Sequence, residues 1–254
     1  LQRKTDTTHL AAAQKHYRKT REKLDDLATP SRRGAKIHPQ YVARTLDELA
    51  DDDAVFLADV GSPVVWAARY LTMNGRRRLL GSFSHGTMAN SIPQAIGVQA
   101  SHPQRQVVTL SGDGGLAMLM GDLLTLVQSK LPVKIVVFNN SSLNFVELEM
   151  KAAGFVTFAT DLSNPNFADV ATAMGIRGFR VEKSKDLPDV LREALAHDGP
   201  ALIDVVTDRQ ELSMPPAVTA EQAKGFALYA VRTVMSGKGD ELLDLAATNW
   251  RQLF

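Results

Sequence analysis

Apolar runs of strand length alternate with helical patterns along most of this chain. The runs cover residues 54–58, 78–80, 106–110, 133–138 and 201–206, and glycine, proline, asparagine or aspartate residues bound most of them. The segments with helical composition are Pro39–Ala50, Val64–Leu71, Thr87–Ala100, Leu116–Lys130, Asn166–Met174 and Lys185–His197. Strands that alternate with helices of this length indicate βαβ units. We therefore predict a three-layer α/β/α fold with a mostly parallel sheet, covered on both faces.

The alternation begins near residue 37 and ends near residue 210, which predicts three parts. Residues 1–36 read as a charged surface helix, His9–Leu27, and a linker that lead in from an upstream domain. Residues 37–210 read as the compact domain. Residues 211–254 read as a C-terminal extension that Pro215-Pro216 separates from it. The first residue is Leu1 rather than methionine, so we expect this chain to be a piece of a longer polypeptide.

Composition excludes several classes of function. Lysine and arginine (29) balance aspartate and glutamate (28), so the net charge predicts no nucleic-acid partner. The absence of cysteine excludes disulfides, thiolate nucleophiles and zinc–thiolate sites. The chain contains no apolar run long enough to span a bilayer, and we do not expect its basic, polar N-terminus to act as a signal peptide. The basic run Arg76-Arg77-Arg78 is interpreted as a solvated turn before a strand.

Two polar motifs follow neighbouring strands of the predicted sheet. Gly112-Asp113-Gly114 ends one strand, and Asn139-Asn140 ends the next, after 24 intervening residues that contain one helix and one strand. Ligands of open α/β sheets bind at the carboxyl ends of strands. If these strands are neighbours, about 4.8 Å separates them, so one cation can touch Asp113 and Asn140.

Carboxylate and amide oxygens are hard ligands that suit Mg²⁺, with positions left for phosphate oxygens. The backbone carbonyl of Ser142 is the most plausible third ligand. Gly114 lets the backbone approach a diphosphate closely, and the amides of the following helix favour negative charge. Each motif alone is more often an ordinary turn. Their joint occurrence at this spacing favours a diphosphate site.

The surroundings of these motifs resemble the thiamine diphosphate-dependent enzyme family, and within it the bacterial pyruvate oxidases that reduce ubiquinone. The resemblance covers essentially the whole chain. Its segments are Asp59-Val-Gly-Ser-Pro-Val-Val-Trp66, Gly81-Ser-Phe-Ser-His-Gly-Thr-Met-Ala-Asn90, Phe138-Asn-Asn-Ser-Ser-Leu-Asn-Phe-Val146, Ala223-Lys-Gly-Phe226 and Thr248-Asn-Trp250.

The resemblance implies roles for individual residues. Met88 matches the bulky residue that bends the bound cofactor, and Gly86 and Thr87 match backbone contacts to its aminopyrimidine. Without the resemblance Met88 would be read as core filler. Phe145 matches an aromatic residue that enters the active site on activation. The metal ligands implied are Asp113, Asn140 and the carbonyl of Ser142, and the other cofactor contacts are Gly114, Gly115, Ser141, Ser142, Leu143, Asn144, Phe145 and Val146.

One position departs from the family pattern. Asn144 stands where a small residue, often glycine, is expected, which questions the flexibility of the turn before Phe145. Asparagine can itself adopt a left-handed backbone conformation, so this departure is still compatible with a flexible turn.

The resemblance also implies what the complete enzyme does. It oxidatively decarboxylates pyruvate to acetate and CO₂ and passes electrons through FAD to ubiquinone, as a homotetramer on the cytoplasmic side of the bacterial inner membrane. The catalytic glutamate and the FAD site belong to domains that this chain lacks. We therefore expect no turnover by this chain alone.

The C-terminal extension predicts two amphipathic helices. Thr219 and Gln222 form a candidate capping box before a first helix. Its apolar stripe is Ala223, Phe226, Ala227, Ala230, Val231 and Val234, and that of the second helix is Leu243, Ala246, Ala247, Trp250 and Phe254. The sequence alone favours packing against protein, because the polar faces are not strongly basic. The resemblance instead implies binding to membrane lipid, with a cytoplasmic protein before activation.

Two rival functions stay open at this point. One is a non-oxidative enzyme of the same family, such as an acetolactate synthase or a 2-oxoacid decarboxylase. The other is a non-catalytic domain that only binds the cofactor or a partner. A dinucleotide-binding Rossmann site is disfavoured, because Ala117 stands where the third glycine of that motif is required.

Overall fold

The computed structural model describes residues 5–32, 34–211 and 219–253, with side chains described up to Asn249 in the last helix. Six parallel strands form one sheet in the order β2-β1-β3-β4-β6-β5. The strands are β1 (Val55–Ala58), β2 (Arg78–Leu80), β3 (Val107–Gly112), β4 (Lys134–Asn139), β5 (Arg177–Val181) and β6 (Ala201–Val206). The predicted three-layer fold is confirmed.

Helices cover this sheet, and further helices precede its first strand and follow its last strand in the chain. They are α1 (Thr8–Leu27), α2 (Pro39–Leu49), α3 (Ser62–Tyr70), α4 (Ser91–Ser101), α5 (Asp113–Met118), α6 (Leu123–Gln128), α7 (Asn144–Ala152), α8 (Phe167–Ala173), α9 (Leu187–Ala196), α10 (Ala220–Met235) and α11 (Gly239–Leu253). Two 3₁₀ turns, Met120–Asp122 and Ser184–Asp186, precede α6 and α9.

Each face of the sheet has its own hydrophobic core. Alternate strand residues point to opposite faces, so Phe56 belongs to the core that includes residues of α2, α3 and α9, whereas Leu57 belongs to the core that includes residues of α4, α6 and α8. The central strand β4 is buried along its whole length. The sheet is therefore a rigid support whose carboxyl edge carries the loops described below.

The structure corrects several predicted elements. The helix predicted at 116–130 is split into α5 and α6, because Gly121 and Asp122 are poor helix formers. The helix predicted at 87–100 begins only at Ser91, which places Pro93 in its first turn, where proline is tolerated. Strand β5 and helix α7 were not predicted; β5 is a half-exposed edge strand with two arginines and lacks an apolar run.

The prediction for the basic run was wrong at its middle residue. Arg77 is 7% exposed, and its guanidinium donates to Asp47 Oδ1 at 2.7 Å and to the carbonyl of Ala50 at 2.6 Å. Its neighbours Arg76 and Arg78 are exposed, as expected for a turn. The buried guanidinium of Arg77 therefore connects the start of β2 to the end of α2.

The C-terminal helix α10 packs against α7 through a face that the sequence did not single out. The predicted capping box of Thr219 and Gln222 is confirmed. The buried residues of α10 are Gly225, Tyr229 and Thr233, whereas most of the predicted apolar stripe is exposed. In α11, Leu243, Ala246 and Ala247 are also exposed, and the side chain of Trp250, Phe254 and the Pro215-Pro216 pair lie outside the described residues. Over the part of the chain that is described, no helix is long and apolar enough to cross a membrane.

Candidate functional site

Three strands end side by side in polar residues. β1 lies next to β3, and β3 lies next to β4, with Gly112 opposite Phe138 in the register. Asp59, Asp113 and Asn140 follow these strands directly. Because the sheet is parallel, all three lie at its carboxyl edge, where the sequence predicted a ligand site.

One cleft connects these strand ends. Its empty space, counted together with the open solvent at its mouth, is about 620 Å³. Predicted site residues that line it are Met88, Asp113, Gly114, Gly115, Asn140, Ser142, Leu143, Asn144, Phe145 and Val146. Gly86, Thr87 and Ser141 do not line it, and all three are exposed. Most of the predicted set is thus brought together.

Two glycines form part of the cleft wall at positions where a side chain would crowd its neighbours. A Cβ atom on Gly115 would lie 2.6 Å from Asp59 Oδ2 and 3.3 Å from the amide nitrogen of Ala89. A Cβ atom on Gly114 would lie 2.8 Å from Leu143 Cδ2 and 3.5 Å from Met88 Cε. The close packing around these two glycines leaves backbone, rather than side chains, to face a ligand.

The carboxylate of Asp113 is buried and strongly hydrogen-bonded. Oδ1 accepts from the amide of Gly114 at 2.9 Å. Oδ2 accepts from the amides of Asn140 at 3.1 Å and Ser141 at 2.7 Å, and from Asn164 Nδ2 at 2.8 Å. Burial raises the pKa of Asp113, and these four donors oppose that rise by stabilising the charged form. A fixed carboxylate of this kind suits a metal ligand.

The turn after β4 is bent around Asp113. Ser141 has a left-handed φ of 58°, which is uncommon outside glycine, and this bend aims two successive amides at the carboxylate. Asn140 Oδ1 accepts from the amide of Ser142 at 3.0 Å, so the amide side chain is held within the same turn. The carboxylate, the amide oxygen and the buried Ser142 together bring to the cleft oxygen atoms of the kind that bind Mg²⁺.

Met88 lies in a strained turn before α4, not on a helix. The next residue, Ala89, has φ 60°, a conformation that costs about 1–3 kcal/mol for a residue with a side chain. Asn90 holds the turn by donating through Nδ2 to the carbonyl of Thr87 at 2.6 Å, and the amide of Ser91 donates to Asp59 Oδ1 at 2.8 Å. These bonds fix Met88 against the cleft.

Asp59 is a site residue that sequence reasoning did not assign. It is 1% exposed, lines the cleft, and within the described residues its Oδ2 has no hydrogen-bond partner. Burial raises its pKa, and the bond from Ser91 opposes that rise. Trp66, Thr207 and Asp208 also line the cleft without having been predicted. For Asp59 a signal existed, since it follows a strand at the same edge as Asp113.

The structure explains Asn144 differently from the sequence. The left-handed residue of the turn is Ser141, whereas Asn144 is the first residue of α7. Its Oδ1 accepts from Ser62 Oγ at 2.9 Å, and its Nδ2 donates to the carbonyl of Arg209 at 2.7 Å. Asn144 therefore links the start of α3 to the segment after β6, and Phe145, 38% exposed, lies at the rim of the cleft.

A buried ion cluster lies behind the turn. Glu147 accepts from Ser142 Oγ at 2.6 Å, from Lys151 Nζ at 2.7 Å and from Arg209 Nη2 at 2.9 Å. Both Glu147 and Lys151 are 2% exposed. Burial alone would raise the pKa of Glu147, but Lys151, Ser142 and Arg209 together lower it below its usual value.

A comparison with protein families finds one match that covers the site. The profile described as "Thiamine pyrophosphate enzyme, C-terminal TPP binding domain" matches residues 59–205. This range begins at Asp59 and includes Met88, Asp113, Asn140 and Ser142. It ends in β6, before the C-terminal helices.

Individual relatives carry different names. A thiamine pyrophosphate-containing protein of Bacillus subtilis, YdaP, is 35% identical over 96% of this chain and 42% of its own length. A chloroplastic acetolactate synthase of Arabidopsis thaliana is 35% identical over 72% of the chain and 28% of its own length. A pyruvate oxidase of Lactiplantibacillus plantarum is 37% identical over 65% of the chain and 28% of its own length. The chain thus spans less than half the length of these relatives.

Proposed function

The chain belongs to the thiamine pyrophosphate enzyme family, in which it corresponds to the C-terminal cofactor-binding domain, and we propose that it holds thiamine diphosphate through Mg²⁺ in the cleft described above. The observation that carries this proposal is the position of Asp113 and Asn140 at adjacent strand ends of one glycine-lined cleft. Asp113, Asn140 and the carbonyl of Ser142 would hold the metal. Gly114 and Gly115 would let the diphosphate approach the backbone.

The remaining side chains would orient the cofactor and limit access of water to it. When bound, thiamine diphosphate supplies the nucleophilic carbon and the electron sink that decarboxylation of a 2-oxo acid requires. Met88 would support the two rings from the side of Gly114, next to the strained Ala89. Phe145 and Val146 at the rim would exclude water from the reacting atoms. Gly86 and Thr87 do not line the cleft, so their proposed backbone contacts to the aminopyrimidine rest on the resemblance of the sequence motifs alone.

Binding of the cofactor by the intact chain tests this proposal. Titration of thiamine diphosphate in the presence of Mg²⁺ should quench intrinsic fluorescence, because Trp66 lines the cleft. Asp113→Ala should weaken magnesium-dependent binding at least tenfold, since it removes a charged ligand. Equal affinity in Asp113→Ala and the unmodified chain would disprove the metal-ligand assignment.

For the complete protein we propose oxidative decarboxylation of pyruvate to acetate and CO₂, with FAD and then ubiquinone as electron acceptors in a homotetramer. The similarity to a pyruvate oxidase supports the oxidation of pyruvate, whereas FAD, ubiquinone and the homotetramer rest on the resemblance of the sequence motifs. The similarity to acetolactate synthases supports a non-oxidative carboligase equally well. Analysis of the product that the longer polypeptide makes from pyruvate separates the two: acetate supports the oxidase, and acetolactate supports the synthase.

We also propose that the C-terminal helices bring the protein to the cytoplasmic face of the bacterial inner membrane. An apolar face of α10 supports this proposal, since Val231, Val234 and Met235 are 57%, 61% and 82% exposed. Leu243 on α11 is 69% exposed. Amphipathic helices bind the surface of a bilayer through an exposed apolar face of this kind, although the polar faces here are not strongly basic.

Flotation with phospholipid vesicles tests the role of this face. The triple replacement of Val231, Val234 and Met235 by serine should reduce vesicle binding without unfolding the chain, because all three side chains are exposed. Lys224→Ser, at another exposed position of α10, is the matched control. Equal flotation of the triple variant and the unmodified chain would refute lipid binding by α10.

A further inference from the structure

Asn164 contacts the candidate metal ligand from outside the two sequence motifs. It lies in the loop between α7 and α8, and its Nδ2 donates both to Asp113 Oδ2 at 2.8 Å and to Asn139 Oδ1 at 3.0 Å. One amide group thus joins the residue after β3 to the last residue of β4. No pattern in the sequence marked this position.

A chain of hydrogen bonds fixes which end of the Asn164 amide faces Asp113. Asp204 is fully buried, and its Oδ2 accepts from Arg180 Nη1 at 2.5 Å. An ionised carboxylate only accepts hydrogen bonds, so Asn139 must present Nδ2 to Asp204 Oδ1, at 2.9 Å. Asn139 then presents Oδ1 to Asn164, which requires the NH₂ group of Asn164 on the side that faces Asp113.

Backbone hydrogen bonds also fix the position of Asn164. The segment 160–164, here called the strap, is bonded to the turn after β4 on both sides of Ser142. The amide of Leu143 donates to the carbonyl of Thr160 at 2.8 Å, and the amide of Leu162 donates to the carbonyl of Ser141 at 3.0 Å. These two bonds attach the strap to the turn that carries Asn140 and Ser142.

The contacts of Asp113 are divided unequally between its two oxygens. Oδ2 accepts from three donors, one of which is Asn164, whereas among the described residues Oδ1 accepts from the amide of Gly114. A carboxylate has about four lone-pair directions over its two oxygens. Saturation of Oδ2 holds the carboxylate plane and leaves the spare acceptor capacity on Oδ1.

We propose that Asn164 is a positioning residue for the divalent cation, which acts by holding the Asp113 carboxylate in the orientation that presents Oδ1. This inference rests on the proposed function and adds a residue and a segment to it. Residues that orient a metal ligand typically affect metal affinity about 10- to 100-fold. The expected defect is therefore in the binding of metal, not in the contacts of the organic cofactor.

The test measures the Mg²⁺ concentration that half-saturates thiamine diphosphate binding by the intact chain. Asn164→Ala should raise it about 10- to 100-fold. Asn164→Leu should do the same, and it retains the side-chain volume, so it decides the question if the alanine variant folds poorly. Ser163→Ala, an exposed neighbour in the same strap, should stay within about twofold. At saturating Mg²⁺ both Asn164 variants should regain the cofactor affinity of the unmodified chain.

Each of the other possible results of this titration leads to a single conclusion. If the unmodified chain binds the cofactor with normal magnesium dependence and both Asn164 variants match it, Asn164 has no positioning role. If both variants bind weakly even at saturating Mg²⁺, Asn164 supports the fold of the cleft in general, and the positioning role is again wrong. If the unmodified chain shows no magnesium-dependent binding, the proposed function itself fails.

Discussion

Gly115 leaves no space for even one methyl group beside the candidate site. Its nearest neighbour, Asp59, cannot move freely, because Ser91 holds the other oxygen of that carboxylate. We expect Gly115→Ala to lower the free energy of unfolding by about 1–3 kcal/mol through overpacking, as measured by urea denaturation. It should also weaken cofactor binding, because the displaced Asp59 supports the turn next to Met88.

Gly121 provides the matched control for this substitution. A Cβ atom there would meet no heavy atom within 4 Å. Gly121→Ala should therefore leave stability unchanged or slightly higher, because alanine loses less backbone entropy on folding. Equal losses in the two variants would show that the effect of Gly115 is not steric.

Glu147 makes the stability of the protein depend on pH. Its pKa is lower in the folded state than its usual value of 4.5, so the folded state binds fewer protons in that range. The stabilisation is complete above pH 4.5 and is lost as the pH falls through the lowered pKa. We expect Glu147→Gln to lower the free energy of unfolding at pH 7 by about 3–5 kcal/mol, because it leaves the buried Lys151 without its carboxylate.

The pH profile of unfolding tests this prediction. The difference between Glu147→Gln and the unmodified chain should shrink as the pH falls below 4.5. Glu193 serves as a control, since it pairs with Arg177 on the surface and is 61% exposed. Glu193→Gln should cost no more than about 1 kcal/mol at any pH, and a pH-independent deficit for Glu147→Gln would contradict the linkage.

At the scale of elements, the contact between α7 and α10 depends on one glycine. A Cβ atom on Gly225 would lie 1.7 Å from the carbonyl oxygen of Ala152, which is backbone and cannot rotate away. We expect Gly225→Ala to force α10 off α7 and to leave the sheet intact. Cleavage by trypsin at Lys224 and Arg232 should then become faster, because a released helix exposes its backbone.

Gly97, which lies on the exposed face of α4, provides the control substitution for Gly225 in α10. It has open space at its Cβ position, so Gly97→Ala should stabilise α4 by up to about 1 kcal/mol. Its rate of cleavage should match that of the unmodified chain. An unchanged rate for Gly225→Ala would mean that α7 and α10 tolerate a wider separation.

Elements with a strong apolar period were predictable, and those that depend on tertiary contacts were not. β4 and β6 are mostly apolar and β-branched, and α2 opens with proline and buries one face, so local sequence was sufficient. β5 contains two arginines and no apolar run, and it joins the sheet by pairing with β6. The apolar stripe of α10 is not its packing face. In both cases the structure depends on the element packed alongside, β6 for β5 and α7 for α10. A local sequence pattern does not reveal that neighbour.

At the scale of the whole molecule, the candidate site likewise contains residues that the sequence predicted and residues that it did not. Asp113 and Asn140 were predictable because each is defined by a motif at a strand end. Asp59 carried the same strand-end signal but belongs to neither motif, whereas Asn164 reaches the site through the strap, which no spacing reveals. The resemblance to a family located Met88, but not the strained backbone that holds it.

Cofactor binding should stabilise the whole fold, since the cleft joins β1, β3 and β4. A ligand present at about 100 times its dissociation constant adds about 2.7 kcal/mol to the free energy of unfolding. We expect the melting temperature to rise when thiamine diphosphate and Mg²⁺ are both present and to return to the ligand-free value after chelation with EDTA. Asp113→Ala should show no such rise, and a rise with cofactor alone would mean that the metal is dispensable.

The order in which the site forms follows from its place in the chain. Asp113, Asn140, Ser142 and Asn164 come from one continuous stretch, and β3 and β4 are neighbours both in sequence and in the sheet. Loops between nearby residues cost less entropy to close and tend to form earlier. The wall of the cleft near Thr207 instead requires Ile37 to meet the end of β6. On a ribosome, we therefore expect the metal-binding turn to be synthesised and folded while the far wall of the cleft is still missing.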